Sequence, residues 1–266
     1  MTTPHLGTAL ITGASSGIGA EYAERLAGRG YDLILVARNH ERLSALAKRI
    51  TDTSGRSVEV LVADLNDRTA LASVEARLKQ DASITLLVNN AGIGTHTPLL
   101  NSDVEQMTRM IELNVTALTR LTYAVVPAFV TRGQGAIINI SSVVSITPEV
   151  LNGVYGATKA FVTGFSQSLR HELADKGVHV QAVLPGATAT EFWATGGLPV
   201  ENLNPAWVMT TRDLVEAALQ DFDGGELISI PSLHALDIWR TYEDARQTMS
   251  TQLSNKAPAA RYGIQH

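Results

Sequence analysis

Tyr155 and Lys159 lie four residues apart, and Ser142 precedes them across a short loop. On a helix, positions i and i+4 share a face, with Cβ atoms roughly 6 Å apart. A phenol titrates near about 10, too high to exchange protons readily at neutral pH. An ammonium about 4 Å away, at an effective dielectric near 20, would supply about 4 kcal/mol and bring that pKa toward neutrality. Ser142 would then hydrogen-bond the reacting oxygen, so the chemistry is proton transfer at a carbonyl or alcohol oxygen. With six tyrosines, such a Tyr–Lys pair arises by chance in about one such chain in ten. An exposed helical pair would explain it equally well in isolation.

A second set of residues decides the matter. Thr8–Ile11 reads as a short buried strand, and Ile18, Tyr22 and Leu26 recur at helical spacing. Between them runs TGASSGIG, with Gly13, Ser15, Ser16, Gly17, Ile18 and Gly19 at the strand-to-helix turn. Glycines there permit a tight turn and close approach of a phosphate, and the free N–H groups of the new helix favour an anion. A diphosphate is the expected ligand.

About 20 residues beyond such glycines, a carboxylate would select NAD by binding the adenosine ribose. Here Ala37 and Arg38 hold that place. A guanidinium can grip a 2′-phosphate with two hydrogen bonds, which favours NADP; the alternative is a solvated residue at the start of the next helix. Asp64 and Leu65 end the third strand, and Asn90-Ala91-Gly92 end the fourth. Asp64 is suited to an adenine amino group, and the Asn90–Gly92 turn to the adenosine ribose. Asn114 sits among apolar residues of a long helical stretch, where its amide must find partners: either it caps a local irregularity or it holds a water.

These groups need a frame. Apolar runs at Thr8–Ile11, Leu33–Ala37, Val58–Ala63, Ile84–Val88, Ala136–Ile140, Val178–Leu184 and Leu227–Ile230 alternate with helical patterns at His40–Ile50, Asp67–Gln80, Asp103–Val130, Gly153–Ala174 and Thr211–Asp221. Strands covered on both faces lack clean alternation, and strand–helix repetition predicts a doubly wound parallel sheet. We expect an α/β fold of about seven parallel strands with helices on both faces. No linker or repeat marks a boundary, so one domain over 1–266 is expected, with a frayed tail at 255–266. At 45% hydrophobic and 18% charged residues, the chain has enough apolar material for one large core. Its net charge of −5, without a basic block, points away from nucleic acid. No apolar run reaches about 18 residues, and no Lys or Arg precedes Arg25, so neither a membrane partner nor a signal peptide is expected. The absence of cysteine and of metal-ligand spacing predicts no metal site. A cytoplasmic protein is the resulting expectation.

TGASSGIG, Asp64, NNAG, Asn114, Ser142, YGATK and Pro185-Gly186 followed by Thr188 and Thr190 together resemble the short-chain dehydrogenase/reductase family, over about residues 6–230. The wording ALITGASSGIG…LILVARN is most similar to its NADP-preferring branch. The resemblance implies a Rossmann-like fold, with Tyr155 as general acid or base and Lys159 lowering its pKa and holding the nicotinamide ribose. It implies that Ser142 positions the substrate oxygen, that Asn114 holds a relay water, and that Thr188 and Thr190 contact the carboxamide. It also implies a homodimer or homotetramer. Residues 188–210 would form a substrate lid hinged at Gly196-Gly197. Phe192, Trp193, Leu198 and Trp207 would close one apolar wall and 143–154 the other; plain core or a subunit interface is the alternative reading of these aromatics. The expected substrate is an apolar carbonyl or alcohol compound. An NAD-preferring enzyme of the same mechanism and a non-catalytic nucleotide sensor remain alternatives.

Overall fold

The computed structural model describes residues 5–264. Seven strands, β1 (Thr8–Thr12), β2 (Asp32–Ala37), β3 (Val58–Val62), β4 (Ile84–Asn89), β5 (Gly135–Ile140), β6 (Val178–Val183) and β7 (Ile228–Ser229), form one sheet in the order β3-β2-β1-β4-β5-β6-β7. Every pairing is parallel. The strand order reverses between β1 and β4, so their carboxyl ends open the crevice where ligands of such sheets bind.

Alternation inside the apolar runs is what supports two helical layers. Ala9, Ile11, Leu33, Leu35, Leu86 and Val88 face one cluster, which Tyr22, Leu26, Leu43, Leu46, Val215 and Leu219 complete. Those six come from helices α1 (Gly17–Arg29), α2 (His40–Ser54) and α8 (Thr211–Asp223). Leu10, Ile34, Val36 and Leu87 face the opposite cluster with Leu71, Leu78, Leu121, Phe129 and Leu169. These belong to α3 (Arg68–Gln80), α5 (Leu118–Arg132) and α6 (Gly153–Leu173). Successive side chains of a strand point to opposite faces, so a continuous apolar run serves both layers.

The long helix expected over 103–130 is interrupted. It comprises α4 (Val104–Ile111), a π-helical turn over Glu112–Ala117, and α5. The whole helical stretch, Val104–Arg132, is 29 residues and is long and apolar enough to cross a membrane by length and composition, which the sequence reading did not anticipate. Leu118, Leu121, Ala124, Val125 and Phe129 of α5 are buried, and a core helix passes the same test.

By internal contacts the chain groups into two units, Met1–Ser232 and Leu233–His266, a division that no linker composition announces. The second contains α9 (Leu236–Ser250), in which Trp239 and Tyr242 pack with ring centroids 5.4 Å apart. Of the expected tail at 255–266, residues 255–264 carry one short turn, Ala260–Tyr262. Residues 265–266 lie outside the described residues.

Candidate active site

α6 is pinned to β5 along one face. Ser166 Oγ accepts from Asn139 Nδ2 at 2.9 Å, Thr163 Oγ1 lies 2.7 Å from Ser141 Oγ, and Lys159 Nζ donates to the Ile140 carbonyl at 2.8 Å. Positions 159, 163 and 166 recur at helical spacing, so one helix face meets one strand end. The Asn152 side chain caps α6 by accepting from the Val154 and Tyr155 amides, and its own amide donates to the Thr97 carbonyl at 2.7 Å. Tyr155 is thereby fixed in the first helical turn and is 6% exposed. Ser142 begins the segment after β5. Its Oγ donates to the Pro185 carbonyl at 3.4 Å and accepts from the Val144 amide at 3.3 Å, and its hydroxyl acts to lower the Tyr155 pKa.

Asn114 lies in the π-helical turn, where its carboxamide serves both edges of one residue. Oδ1 accepts from the Ile93 amide at 3.0 Å, and Nδ2 donates to the Ile93 carbonyl at 2.8 Å and to Thr158 Oγ1 at 3.1 Å. The local irregularity is therefore present, and π turns often occur at functional sites. A Cβ on Gly92 would come within 3.2 Å of Asn114 Oδ1 and 3.5 Å of Lys159 Nζ, so that glycine keeps the backbone close to both.

The expected lowering of the Tyr155 pKa by Lys159 does not hold in this structure. Burial pushes the phenol up to about 12, with the Ser142 hydrogen bond acting in the opposite direction. Burial also pushes the Lys159 ammonium down to about 8. Lys159 Nζ is 5.9 Å from the centre of the phenol ring and donates to the Ile140 carbonyl, and burial outweighs its charge at the phenol.

This gives a pH signature. Between pH 8 and 10.5 the unfolded chain keeps the Lys159 proton that the folded chain has lost, so stability rises with pH across that window, by up to about 3 kcal/mol. Above pH 10 the raised Tyr155 acts with the opposite sign, because the unfolded phenol ionises first. Thermal melts of the dinucleotide-free protein should therefore climb from pH 8 to 10 relative to Lys159→Met. Parallel curves for the two proteins would refute the assignment.

At the glycine turn, Thr12 Oγ1 accepts from the Asn90 and Ala91 amides at 3.0 and 3.1 Å, while Asn90 Nδ2 donates to the Thr12 and Gly13 carbonyls at 2.9 and 3.1 Å. The Asn90 side chain thus braces the glycine turn. Ala91 and Leu65 pack into the core, and Asp64 accepts from the Asn66 amide while remaining exposed. Arg38 is exposed at the end of β2, without an ion-pair partner among the described residues. Thr188 is buried, with its hydroxyl donating to the Gly186 carbonyl, and Thr190 Oγ1 donates to the Thr188 carbonyl.

A dinucleotide fits this cradle. Gly17 has φ of +57° and faces Thr190; a Cβ there would stand 3.1 Å from Thr190 Cγ2, narrowing the slot between turn and lid. α1 begins at Ser16 with no side-chain cap and no acidic residue in its first turn, whereas Asn39, Asp67 and Asp103 cap α2, α3 and α4. The first amides of α1, with Ser15, Ser16, Gly17 and Ile18, are the groups that would hold the diphosphate. On the sheet side, Pro185 and Gly186 would border the nicotinamide.

The segment expected to form the lid contains α7 (Phe192–Thr195). The Phe192 ring packs against Tyr155 at 5.5 Å between centroids, and Gly94 makes room for the pair: a Cβ there would lie 2.4 Å from Phe192 Cζ and 2.9 Å from Tyr155 Cε2. Trp193 Nε1 donates to the Thr188 carbonyl at 2.9 Å. At the expected hinge, the Gly196 carbonyl accepts from His96 Nδ1 at 2.8 Å, and Gly197 has φ of +88°. Phe192, Trp193, Leu198 and Leu151 line a hollow of about 10 Å³, the room of one water. Trp207 is 71% exposed and lies outside this wall, a correction to the sequence reading.

Spacing alone did not reveal Thr12, Ser141, Thr163 or Gly94 as parts of the site; only the AGIG wording around Gly94 offered a signal. Nor did it reveal the ion pair between Arg42 Nη1 and Glu191 Oε2, at 2.6 Å.

Comparison with known proteins agrees with this geometry. The sequence profile of the short chain dehydrogenase family matches residues 7–197. A short-chain dehydrogenase from Sphingobium yanoikuyae, solved in complex with NADPH, is 51% identical with a TM-score of 0.93, covering 96% of this chain and 98% of that one. The bulky-bulky ketone specific alcohol dehydrogenase from Comamonas testosteroni is 44% identical with a TM-score of 0.89, covering 97% and 99%. The very-long-chain 3-oxoacyl-CoA reductase of Anas platyrhynchos is 37% identical over 194 residues, 71% of this chain and 62% of that protein. The chain therefore spans about three fifths of that relative's length.

Proposed function

Because the chain belongs to the short-chain dehydrogenase/reductase family of oxidoreductases, we propose that it is an NADP(H)-dependent reductase of ketones bearing large apolar groups. The observation that carries this reading is the buried Ser142–Tyr155–Lys159 set beside a glycine cradle whose helix is left uncapped. When bound, the nicotinamide supplies or accepts the hydride. Ser142 Oγ and Tyr155 Oη hold the carbonyl oxygen, and Tyr155 delivers its proton to that oxygen as negative charge develops there. A phenol held near 12 keeps its proton at neutral pH yet is a weaker base than an alkoxide, which suits the reductive direction. With the dinucleotide bound, Lys159 would hold the nicotinamide ribose and the segment after β6 would exclude water.

Two observations support the finer assignments. The exposed Arg38, free of an ion pair among the described residues, suits a 2′-phosphate, and the Sphingobium neighbour was solved with NADPH. The wall of Phe192, Trp193, Leu198 and Leu151 suits apolar substituents, and the Comamonas neighbour is specific for bulky-bulky ketones. Diaryl and aryl-alkyl ketones of graded size should be reduced with NADPH, as followed by cofactor absorbance. Arg38→Ala should weaken NADPH about 10- to 100-fold while leaving NADH within about twofold, the loss of a charge-assisted contact. Equal weakening of both cofactors would remove the 2′-phosphate assignment, and a silent panel despite tight NADPH binding would remove the activity.

A further inference from the structure

Glu191 and Phe192 are adjacent in sequence but engage opposite ends of the site. Glu191 Oε2 accepts from Arg42 Nη1 in the first turn of α2, and the Phe192 ring lies on Tyr155. The Arg42–Glu191 pair thus ties the helix after β2 to the segment after β6, across the mouth of the crevice. Arg42 follows Arg38 by four residues, so two guanidinium groups flank the start of α2. The Arg42 guanidinium holds the Glu191 carboxyl below the usual carboxylate range.

We propose that Arg42 is a second binding residue for the phosphate on the adenosine ribose, held in reserve by Glu191, and that capture of Arg42 by the phosphate releases the lid. This rests on the NADP reading above. The pair is 51% and 63% exposed, so water and salt weaken it and either side chain is free to swing. A phosphate monoester carries about −1.5 to −2 charge at neutral pH against one negative charge for Glu191, and offers more acceptor oxygens to a planar guanidinium. The Arg42 backbone amide is already taken by the Asn39 cap, so recruitment at this turn falls to the side chain. Once Arg42 turns to the phosphate, the start of α7 loses its tie to α2, leaving Trp193 on Thr188 and Gly196 on His96 as its remaining anchors, and Phe192 is freer to leave Tyr155. Binding at the adenosine end therefore favours admission of substrate at the nicotinamide end, by differential contacts in two lid states.

The test uses adenosine 2′,5′-bisphosphate as probe and adenosine 5′-monophosphate as control, titrated calorimetrically into the whole protein. Arg42→Ala should weaken the bisphosphate about tenfold and the monophosphate by less than about twofold. Glu191→Gln, which removes the competitor, should tighten the bisphosphate about two- to fivefold, and should do nothing in an Arg42→Ala background. Proteolytic nicking within 193–209 should rise on adding the bisphosphate to wild type and should already be high in Glu191→Gln. Unchanged bisphosphate affinity in Arg42→Ala, or weaker affinity in Glu191→Gln, overturns the proposal. Arg38→Ala separates the two levels of inference: if it alone discriminates the probes, only the role of Arg42 falls. If neither arginine discriminates them, the NADP reading falls as well.

Discussion

Tyr155→Phe is expected to lose about 10²- to 10⁴-fold in turnover while NADPH binds as before. The substitution deletes one oxygen and keeps the ring. The contact with Phe192 and the close approach to Gly94 both depend on the ring, so the lid should still dock. What disappears is the phenolic hydroxyl, and with it the proton destined for the substrate oxygen. The loss should appear in single-turnover rates and not in dissociation constants, because the group acts on developing charge. The melting behaviour should change little, since a buried hydroxyl with one neutral hydrogen bond contributes only about 1 kcal/mol. A variant that reduces ketones at wild-type rate would leave the mechanism without its proton donor.

Gly19→Ala should fail at an earlier stage. A Cβ there would stand 2.4 Å from the Gly13 carbonyl oxygen and 2.5 Å from Asn90 Nδ2, and neither can yield. Gly13 is itself pressed against Ala91, where a Cβ would come within 2.8 Å of Cα, and Asn90 is tied to the Thr12 and Gly13 carbonyls. Relief requires displacing the whole turn, at a cost of about 1–3 kcal/mol or more. The displaced amides no longer converge, so dinucleotide affinity should drop at least about 100-fold, equivalent to some 3 kcal/mol. Gly28, in the same helix, is the control. Nothing lies within 4 Å of a Cβ built there, and Gly28→Ala should be neutral or stabilising by up to about 1 kcal/mol. Chemical denaturation with NADPH titration of both variants distinguishes this from generic intolerance of α1; equal behaviour would contradict it.

The parts of this molecule that were readable in its sequence are those governed by local repetition. Leu33–Ala37 and Val178–Leu184 announced themselves as strands because both faces needed apolar cover, and the glycine turn announced itself because no other residue tolerates that packing. Less could be read wherever the answer depended on distant chain. The phenol's pKa is set by burial, to which distant chain contributes: the Phe192 ring, 37 positions away, packs on Tyr155. Spacing specified that Lys159 shares a face with Tyr155, but the Ile140 carbonyl decides where its ammonium goes. Trp207 and Phe192 look alike in composition, yet only Phe192 follows directly on a residue tethered to α2. The Arg42–Glu191 pair spans 149 positions, beyond any periodicity.

The wide turn at Glu112–Ala117 constrains how this chain can change length. Removing a single residue there would let the hydrogen-bond ladder close in its ordinary i to i+4 form, and the helix as such would gain. Because the wide turn absorbs one extra residue, α4 and α5 would keep their faces, and Leu121 and Phe129 would still meet the sheet. Asn114, which lies inside the turn, would part from Ile93 and Thr158. Loops elsewhere can absorb gaps, whereas this helix has its residue count fixed by its obligation to the reaction centre.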